Sequence, residues 1–360
     1  MIKYIDSNKT FYLNTANSSY IIKILKDDML CHWYYGAKIA IENLDSLNLF
    51  CKKEYMQGEY LDKEKKENYV SKDVAPMEYP ISGNGDFRIP AIVTENSFGQ
   101  RVSNLIYKDY CITKGKPSLK TLPSYDINTE NVDTLEIILT DTVTGYDVAL
   151  FYSVFEEEDA ITRRTEIRNT TDKELKIVSA QSLSVDFQAQ NFDFITLDGA
   201  WARERHINRR ALTTGTTSVE SRRGASGHQH NPFGALVDKN TTEDSGIAYG
   251  FSLVYSGNFK AVADVDQFGS TRFQIGINPY NFSWKLMVGE TFSTPEAILV
   301  FSNKGLNGMS HCFHNMCRNH LGKSTSDIKR PLVINSWEAM YFNMNEEVIK
   351  RFINDCKGLG

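Results

Sequence analysis

The densest block of groups that could do chemistry lies between residues 199 and 233. It combines Trp201 with a series of arginines, glutamates and the histidines His228 and His230. Guanidinium and imidazole groups beside carboxylates can form bidentate hydrogen-bonded networks, and a flat aromatic ring can stack on a sugar face. The block is therefore a candidate wall of a binding site. For the arginines we prefer an inter-domain or subunit interface, whereas for Trp201 we prefer a substrate contact.

Two groups of residues suggest a metal site, and neither is complete. His228 and His230 are two residues apart, so on a strand they would point the same way, but no third ligand follows at a defined spacing. A structural or hydrogen-bonding role is preferred for both histidines. In the stretch 311–317 the cysteines fall on an apolar helical stripe, whereas His311 and His314 project away from it. We therefore expect no bound metal.

Three aspartates could supply the acid and base of a glycosyl transfer, which needs two carboxylates facing each other across a bond. Asp86 lies in a glycine-rich turn, and Asp264 and Asp266 lie two residues apart before another glycine. Turn formation by these side chains is the simpler interpretation for each of them. The sequence also lacks a P-loop, a dinucleotide-binding fingerprint and a serine nucleophile elbow. The residues on their own thus identify no catalytic group and no cofactor.

Trp337 and Glu338 directly follow the apolar run 331–335. Such a run is typical of a strand buried on both faces, and residues 345–358 predict a helix with an asparagine cap and a terminal glycine. We interpret residues 329–360 as the first βα unit of a domain that was cut off, and a parallel (β/α) barrel is one such domain. Residues just past a barrel strand face the catalytic mouth. Trp337 is therefore a second candidate for sugar stacking, although packing at the barrel rim is an equally good interpretation.

A period of two dominates residues 1–303. Alternating β-branched and aromatic residues, as in 135–139 and 147–155, are typical of strands with one buried face. The pattern at 161–178, interrupted by a polar turn, predicts a β-hairpin. The charged stretch 45–75 departs from this period, and we interpret it as a mobile loop. An antiparallel β-sandwich or barrel is therefore predicted.

One helix separates the β region from the βα unit. Apolar residues recur at helical spacing from Met309 to Leu321. This spacing predicts an amphipathic helix within residues 304–328. We interpret the helix as a linker between two domains.

The composition indicates a globular protein without polyanionic partners. The sequence has 40 lysines and arginines against 45 aspartates and glutamates, a net charge of −5, so neither nucleic acid nor an anionic membrane surface is expected to bind. No apolar run reaches the length of a membrane span, and the charged first ten residues differ from a signal peptide. The six cysteines are scattered, which favours free thiols. We therefore expect a cytoplasmic protein.

Several long ordered motifs resemble those of one enzyme family, the α-galactosidases of glycoside hydrolase family thirty-six. The motifs are Glu-Tyr-Pro at 78–80, Gly-Asp-Phe-Arg at 85–88, Gly-Ala-Trp-Ala-Arg-Glu-Arg at 199–205, Glu-Ser-Arg-Arg-Gly-Ala-Ser at 220–226, His-Gln-His-Asn-Pro-Phe at 228–233 and Trp-Glu-Ala at 337–339. They are distributed over almost the whole sequence, which makes the resemblance specific.

The resemblance implies a fold, an assembly and an activity. Residues 1–303 would form a large N-terminal β-supersandwich, followed by the linker helix at 304–328 and by the start of a truncated catalytic (β/α)8 barrel at 329–360. Family members often assemble as tetramers. The implied activity is the retaining hydrolysis of terminal α-galactosyl residues in oligosaccharides of the raffinose or melibiose type.

The resemblance also assigns roles to particular residues. In family members, the tryptophans of the Gly-Ala-Trp and Trp-Glu-Ala motifs face the galactose. The resemblance therefore implies a substrate-binding role for Trp201 and Trp337. The family's aspartate nucleophile and aspartate acid/base belong to stretches that do not occur in this sequence. We therefore expect the chain to be an inactive N-terminal part of the enzyme, with no catalytic residue of its own.

Two alternatives remain open at this point. The chain could be a stand-alone carbohydrate-binding or oligomerisation module of the β-sandwich type. It could also belong to an enzyme of the same family that acts on α-N-acetylgalactosaminides, because the specificity residues would lie outside residues 1–360.

Overall fold

Antiparallel β-sheet makes up most of the chain, as predicted. The computed structural model describes residues 1–41, 59–62, 67–188, 191–321, 329, 331 and 333–358. Contacts divide the chain into two compact units, Met1–Lys323 and Ser324–Gly360. All the strands described below belong to the first unit.

The chain begins with a four-stranded antiparallel meander. Its strands, in both sequence and spatial order, are β1 (Ile2–Ile5), β2 (Thr10–Asn14), β3 (Ser18–Ile24) and β4 (Leu30–Ala37). Two short strands, β5 (Glu59–Asp62) and β6 (Glu67–Val70), then pair antiparallel with each other. The loop predicted at 45–75 is therefore wrong over these strands, because dense charge obscured two short alternating segments. Of its remaining parts, 45–58 and 63–66 lie outside the described residues, whereas 71–75 contains a turn.

A ten-stranded sheet forms the largest layer of the first unit. Its strands are β8 (Leu105–Lys114), β9 (Asp133–Asp141), β10 (Asp147–Phe155), β11 (Ala160–Arg168), β13 (Phe192–Ala200), β14 (Arg203–Ala211), β16 (Phe233–Asp238), β17 (Ala248–Leu253), β21 (Thr291–Ser293) and β22 (Ala297–Ser302). The spatial order is β14-β13-β16-β17-β22-β11-β10-β9-β8, and β21 pairs with β11. Every residue of β10 is buried, which explains its nearly continuous apolar sequence.

A six-stranded sheet packs face to face against the larger one. Its strands are β7 (Ile92–Glu95), β12 (Leu175–Phe187), β15 (Gly215–Glu220), β18 (Phe259–Val265), β19 (Thr271–Ile277) and β20 (Trp284–Leu286). Phe251 of the ten-stranded sheet stacks on Phe273 of the six-stranded sheet with ring centroids 4.2 Å apart. Buried side chains of both sheets form one continuous hydrophobic core. The predicted sandwich is therefore observed.

The hairpin predicted at 161–178 is wrong, because its two strands lie in different sheets. β11 pairs with β10 and β22, whereas β12 pairs with β19, β20 and β7. The connecting turn is held by Asn169, whose buried side-chain amide donates to the carbonyl oxygens of Lys173 at 2.8 Å and Leu286 at 3.0 Å. These hydrogen bonds fix the turn through which the chain passes from the ten-stranded sheet to the six-stranded sheet. The alternating pattern identified the strands correctly but carried no information about their partners.

The predicted amphipathic helix is α1 (Gly305–His320), and it packs on the ten-stranded sheet. Met309 and Met316 of the predicted stripe are buried against this sheet, and His320 is also buried. A Cβ atom on Gly250 of β17 would lie 2.6 Å from the Phe313 ring and 2.7 Å from the Met309 sulfur. Glycine is therefore required for this close approach. Residues 322–328 of the predicted 304–328 segment lie outside the described residues.

The second unit contains two helices, α2 (Trp337–Met340) and α3 (Glu346–Gly358). The α3 prediction is confirmed, since the Asn345 side-chain oxygen accepts the Val348 backbone N–H at 2.9 Å. The strand predicted at 331–335 is not formed by its described residues, 331 and 333–335, and Val333 is 83% exposed. The physical reason is that a parallel strand needs a neighbour for its hydrogen bonds, and the described part of this unit offers none.

Candidate functional site

Trp201 lies at the tip of the hairpin that joins β13 and β14. Ala200 pairs with Arg203 across the hairpin, so Trp201 and Ala202 form a two-residue turn. The side chain of Trp201 is 82% exposed. Ala202 and Arg205 both adopt a φ of 61°, a left-handed conformation that costs energy in residues other than glycine. The tip is therefore a strained turn that presents an aromatic ring to solvent.

A close backbone approach at Gly199 shapes this tip. A Cβ atom at Gly199 would overlap the carbonyl oxygen of Arg203 and lie 2.8 Å from the Cα of Glu204. The register of the ladder shifts between Asp198 and Ala200, which is the signature of a bulge. The close approach of the two strands therefore explains why the Gly-Ala-Trp motif begins with a glycine. Any larger residue would push the Trp201 turn away from its position.

The carboxylate of Asp198 forms a hydrogen-bonded cluster just before this bulge. Its Oδ1 accepts from His230 Nδ1 at 2.8 Å, and its Oδ2 accepts from Asn208 Nδ2 at 2.9 Å and Thr196 Oγ1 at 3.1 Å. Burial raises the pKa of Asp198, but these hydrogen bonds and the His230 charge outweigh burial and lower the pKa overall. The hydrogen-bonding role predicted for His230 is confirmed. Its neighbour His228 lies 2.9 Å from the Gln229 amide.

The arginines of the 199–233 block divide into bound and unbound groups. Arg209 donates to Asp193 at 2.8 Å and to the Thr241 carbonyl at 2.6 Å. Arg222 pairs with Glu220 and lies over the Tyr280 ring. The side chains of Arg203 and Arg205, which both follow the tip of the hairpin, have no hydrogen-bond or ion-pair partner in the described part of the chain.

An apolar groove of about 440 Å³ separates the hairpin from α1. Ile207 on the hairpin side is 63% exposed, although it faces this groove. Polar groups lie at its rim, notably Arg205 and His314. The apolar lining comes mainly from the side chains of Ile195, Leu197, Ile207, Phe233, Leu306, Met309 and Phe313.

Trp337, the other predicted substrate contact, belongs to the second unit and opens α2. Its backbone N–H donates to the Asn335 side-chain oxygen at 2.7 Å. The indole ring is 47% exposed, and it lies edge-on to Tyr341 and Phe342 with centroid distances of 5.3 and 5.1 Å. The Tyr341 hydroxyl donates to Glu338 at 2.8 Å. The described residues of this unit thus form a small, partly exposed aromatic cluster.

The three aspartates considered as acid or base groups serve structural roles, but the predicted turn formation is correct only for Asp86 and Asp266, because Asp264 lies within β18. Asp266 Oδ1 accepts the backbone N–H groups of Phe268 at 2.8 Å and Ser270 at 2.9 Å, which closes a turn. Asp264 accepts from Thr216 on the neighbouring strand at 2.8 Å. Asp86 is only 3% exposed and forms a turn hydrogen bond as well as ion pairs with two arginines, described below.

The helical stripe predicted for α1 is correct for its histidines and for Cys312 but wrong for Cys317, which is exposed. His311 and His314 are exposed, with ring centroids 6.3 Å apart. Cys312 is partly buried beside Phe313. Across the described ranges, no group of three or more histidine, cysteine or acidic side chains is placed to hold a metal ion.

A buried ionic cluster around Glu78 was missed by the sequence reasoning. Glu78 and Arg163 have fully buried side chains, and an oxygen of Glu78 lies 2.9 Å from Arg163 Nη1. The hydroxyls of Tyr20 and Tyr152 both donate to Glu78, at 2.8 and 2.7 Å, and His32 lies 3.2 Å away. This cluster joins the four-stranded sheet to the ten-stranded sheet. The only sign of this cluster in the sequence is Arg163, a charged residue at a position of β11 where the alternating pattern predicts an apolar side chain.

A further buried ionic cluster joins the six-stranded sheet to the 83–90 turn. Arg272, which is 2% exposed, donates to Asp186 Oδ1 at 2.7 Å and to Asp86 Oδ2 at 2.8 Å. Arg88 Nε donates to Asp86 at 2.9 Å. Phe87, between Asp86 and Arg88, is 87% exposed because both of its neighbours are anchored. Asp86 is therefore a structural anchor.

The chain is thus an antiparallel β-sandwich that displays an aromatic ring at the tip of an exposed hairpin. Residues 28–287 match the model of the glycosyl hydrolase family 36 N-terminal domain, and residues 291–360 match the melibiase model. The chain belongs to glycosyl hydrolase family 36. The resemblance found in the motifs is thereby confirmed.

Relatives with known names and structures agree with this assignment. The chain is 42% identical to α-galactosidase AgaA of Geobacillus stearothermophilus and 37% identical to α-galactosidase Mel36A of Lactobacillus acidophilus, covering 100% of this chain and 49% of either relative. The crystal structure of the α-galactosidase from Lactobacillus brevis superposes with a TM-score of 0.93 at 36% identity, covering 99% of this chain and 48% of that one. A structure of an AgaA variant contains raffinose. The chain spans about half the length of the relatives that it matches.

Among the described residues, no helix combines the length and apolar character that crossing a membrane would require.

Proposed function

We propose that the chain is the N-terminal part of a retaining α-galactosidase that hydrolyses terminal α-galactosyl residues of oligosaccharides of the raffinose and melibiose type. The observation that carries this proposal is the 42% identity to an α-galactosidase over the full chain. The raffinose complex of a close relative supports the choice of substrate. Within the proposal, residues 1–303 are the β-supersandwich, 304–328 the linker helix and 329–360 the beginning of a (β/α)8 barrel.

The proposal gives Trp201 and Trp337 the role of substrate contacts. Both indole rings are at least partly exposed, and a pyranose presents an apolar C–H face on which such a ring can stack. Retaining glycoside hydrolysis needs two carboxyl groups about 5 Å apart. The candidate aspartates of the chain are instead occupied in a turn, in a hydrogen bond between strands and in ion pairs. The chain by itself is therefore expected to bind weakly and to catalyse nothing.

The proposal includes an assembly and a location. We infer a homo-oligomer, with the tetramer of the resembled family as the leading form, and the unpaired arginines Arg203 and Arg205 are available for a polar interface. We infer a cytoplasmic location because the five described cysteines are unpaired, as is usual in a reducing compartment. Size-exclusion chromatography with light scattering and cell fractionation test these two inferences. A monomeric full-length enzyme, or a secreted one, would contradict them.

The decisive experiment compares the 360-residue chain with the protein encoded by the complete reading frame. We expect the longer protein to release galactose from raffinose and from an aryl α-galactoside, and the 360-residue chain to release none. Proton NMR of the first-formed sugar should show the α-anomer, because a retaining enzyme preserves the configuration. Release of the β-anomer, or no release from any α-galactoside, would refute the proposal.

A second function has one specific observation in its favour. Trp201 is exposed on a hairpin that belongs wholly to the first unit, which is the arrangement that a stand-alone carbohydrate-binding module requires. Galactose titration of the 360-residue chain, followed by tryptophan fluorescence, separates the two functions. Saturable binding of galactose by the 360-residue chain would favour the binding module. Absence of binding, together with activity of the longer protein, would favour the enzyme.

A further inference from the structure

The hairpin that carries Trp201 is held against the sandwich by two successive stretches of chain. β16 pairs with β13 only as far as Ile195. Beyond that point, the segment 229–231 takes its place, because the Asn231 N–H donates to the Leu197 carbonyl and the Gly199 N–H donates to the Gln229 carbonyl, both at 3.0 Å. The outer half of the hairpin is therefore attached to the sandwich mainly through this short segment.

Packing alone does little to hold this outer half in place. All residues of β14 except Arg210 are exposed. Two residues near the tip adopt left-handed conformations. Hairpins with so little buried apolar surface open easily unless polar contacts fix them. The contacts that fix this hairpin must therefore be found among its hydrogen bonds.

Asp198 is the residue at which those contacts converge. Its carboxylate accepts from Thr196 on its own strand, from Asn208 on β14 and from His230 on the segment 229–231. One side chain thus links three stretches of backbone, three residues before Trp201. The carboxylate remains charged, which strengthens each of these hydrogen bonds. His206 lies directly opposite Asp198 in the β-ladder and is exposed, but it makes no hydrogen bond to the carboxylate.

We infer that Asp198, held by His230, is a positioning residue for Trp201. The pair fixes the angle at which the hairpin leaves the sheet and so the direction in which the indole ring points. The effect of this pair on substrate binding rests on the proposed function, in which Trp201 contacts the sugar. The mechanical coupling between the pair and Trp201 does not depend on that role.

Fluorine NMR of the 360-residue chain tests the coupling directly. Labelling with 5-fluorotryptophan gives one resonance for each of the four tryptophans, and Trp201→Phe assigns the resonance of interest. In His230→Ala we expect this resonance to shift. We also expect the Gly199 amide, which donates to the Gln229 carbonyl of the neighbouring segment, to exchange at least about tenfold faster, because a hydrogen bond to a charged group is lost. His230→Asn, which places an amide N–H where Nδ1 was, should restore most of the wild-type behaviour.

The controls separate a local effect from a loss of fold. His206→Ala removes a histidine opposite Asp198 that makes no hydrogen bond to it, and it should leave the Trp201 resonance unchanged. Trp33 is 7% exposed in the four-stranded sheet, and its resonance reports whether a variant is folded. Asp198→Asn keeps the size of the side chain and serves if His230→Ala does not fold; faster exchange at the Gly199 amide is again expected. An unchanged Trp201 resonance and unchanged exchange in a folded His230→Ala or Asp198→Asn variant would overturn the inference.

A raffinose titration of the labelled full-length enzyme distinguishes this inference from the proposed function. If His230→Ala disturbs Trp201 but raffinose does not move the Trp201 resonance, the positioning role stands and the sugar role of Trp201 fails. If raffinose moves the resonance and His230→Ala leaves it unchanged, the sugar role stands and the positioning role fails.

Discussion

The carboxylate of Glu78 lies 2.9 Å from the guanidinium of Arg163, and both side chains are inaccessible to solvent. The cluster around the pair draws on four strands, since Tyr20 belongs to β3, His32 to β4, Tyr152 to β10 and Arg163 to β11. The pair therefore connects the N-terminal sheet to the centre of the sandwich. Removing one partner would leave the other charge buried without compensation, which is more costly than losing an exposed ion pair.

We predict that Glu78→Gln lowers the free energy of unfolding by about 3 to 5 kcal/mol, the range for breaking a buried ion pair. Urea unfolding monitored by circular dichroism measures the change. The matched control is Glu174→Gln, which removes an exposed pair with Lys285 whose side chains are 41% and 67% accessible. The control should cost less than about 1 kcal/mol. Equal effects of the two substitutions would contradict the importance assigned to the buried pair.

The same pair predicts how stability depends on pH. Burial alone would raise the pKa of Glu78, but the charge of Arg163 and the hydrogen bond from His32 outweigh burial and hold the pKa below its ordinary value of 4.5. The pKa of Asp186 is likewise held below 3.8, because Arg272 outweighs the effect of burial. The unfolded chain therefore takes up protons first as the pH falls.

The stabilisation from these carboxylates should be complete above about pH 4.5 and should be lost as the pH falls through the lower folded pKa values. Unfolding free energies measured between roughly pH 6 and pH 3 should thus decrease toward acid. Glu78→Gln should show a shallower decrease, because one of the titrating groups is gone. An identical slope in the variant would show that Glu78 does not contribute to the acid sensitivity.

Local sequence patterns predicted the strands but not their partners. The period of two identified the strands around 135–139 and 147–155, and the 3.6-residue period identified α1. The 161–178 hairpin failed because the polar turn at Asn169 connects two sheets, and pairing between distant strands leaves no local signal. The strand at 331–335 failed because an apolar run cannot reveal whether a neighbouring strand exists to pair with it.

The sequence likewise predicted only part of the candidate site, because contacts between residues that are distant in the sequence leave no local signal. Trp201 could be singled out as an aromatic residue in a polar block, and its exposure on a hairpin tip agrees with a binding role. The preference for a hydrogen-bonding His230 was correct. The partner of His230 could not be predicted from a local pattern, because Asp198 lies 32 residues away in the sequence. The Glu78–Arg163 pair is separated by 85 residues, and only the folded sheets bring such charges together.

The contact between α1 and the sheet gives a prediction about a single glycine. Gly250→Ala should lower the free energy of unfolding by about 1 to 3 kcal/mol, because the new methyl group collides with Phe313 and Met309. Hydrogen exchange should become faster in α1 before it does so in the strands of the sandwich. Gly358→Ala is the control, since no atom lies within 4 Å of its added Cβ. Unchanged exchange in α1 of the Gly250 variant would contradict this packing.

The exposed indole of Trp201 gives a prediction about catalysis by the proposed full-length enzyme. Because a stacked ring contacts the sugar in the ground state and in the transition state alike, Trp201→Ala should raise KM for raffinose by about tenfold and leave kcat nearly unchanged. Trp201→Phe keeps a flat ring and should show a smaller rise in KM. Trp284→Ala removes another exposed tryptophan, 48% accessible at the edge of the six-stranded sheet, and should have no effect. A large fall in kcat at constant KM for Trp201→Ala would instead mean that the ring acts only in the transition state, and equal effects at positions 201 and 284 would remove Trp201 from the site.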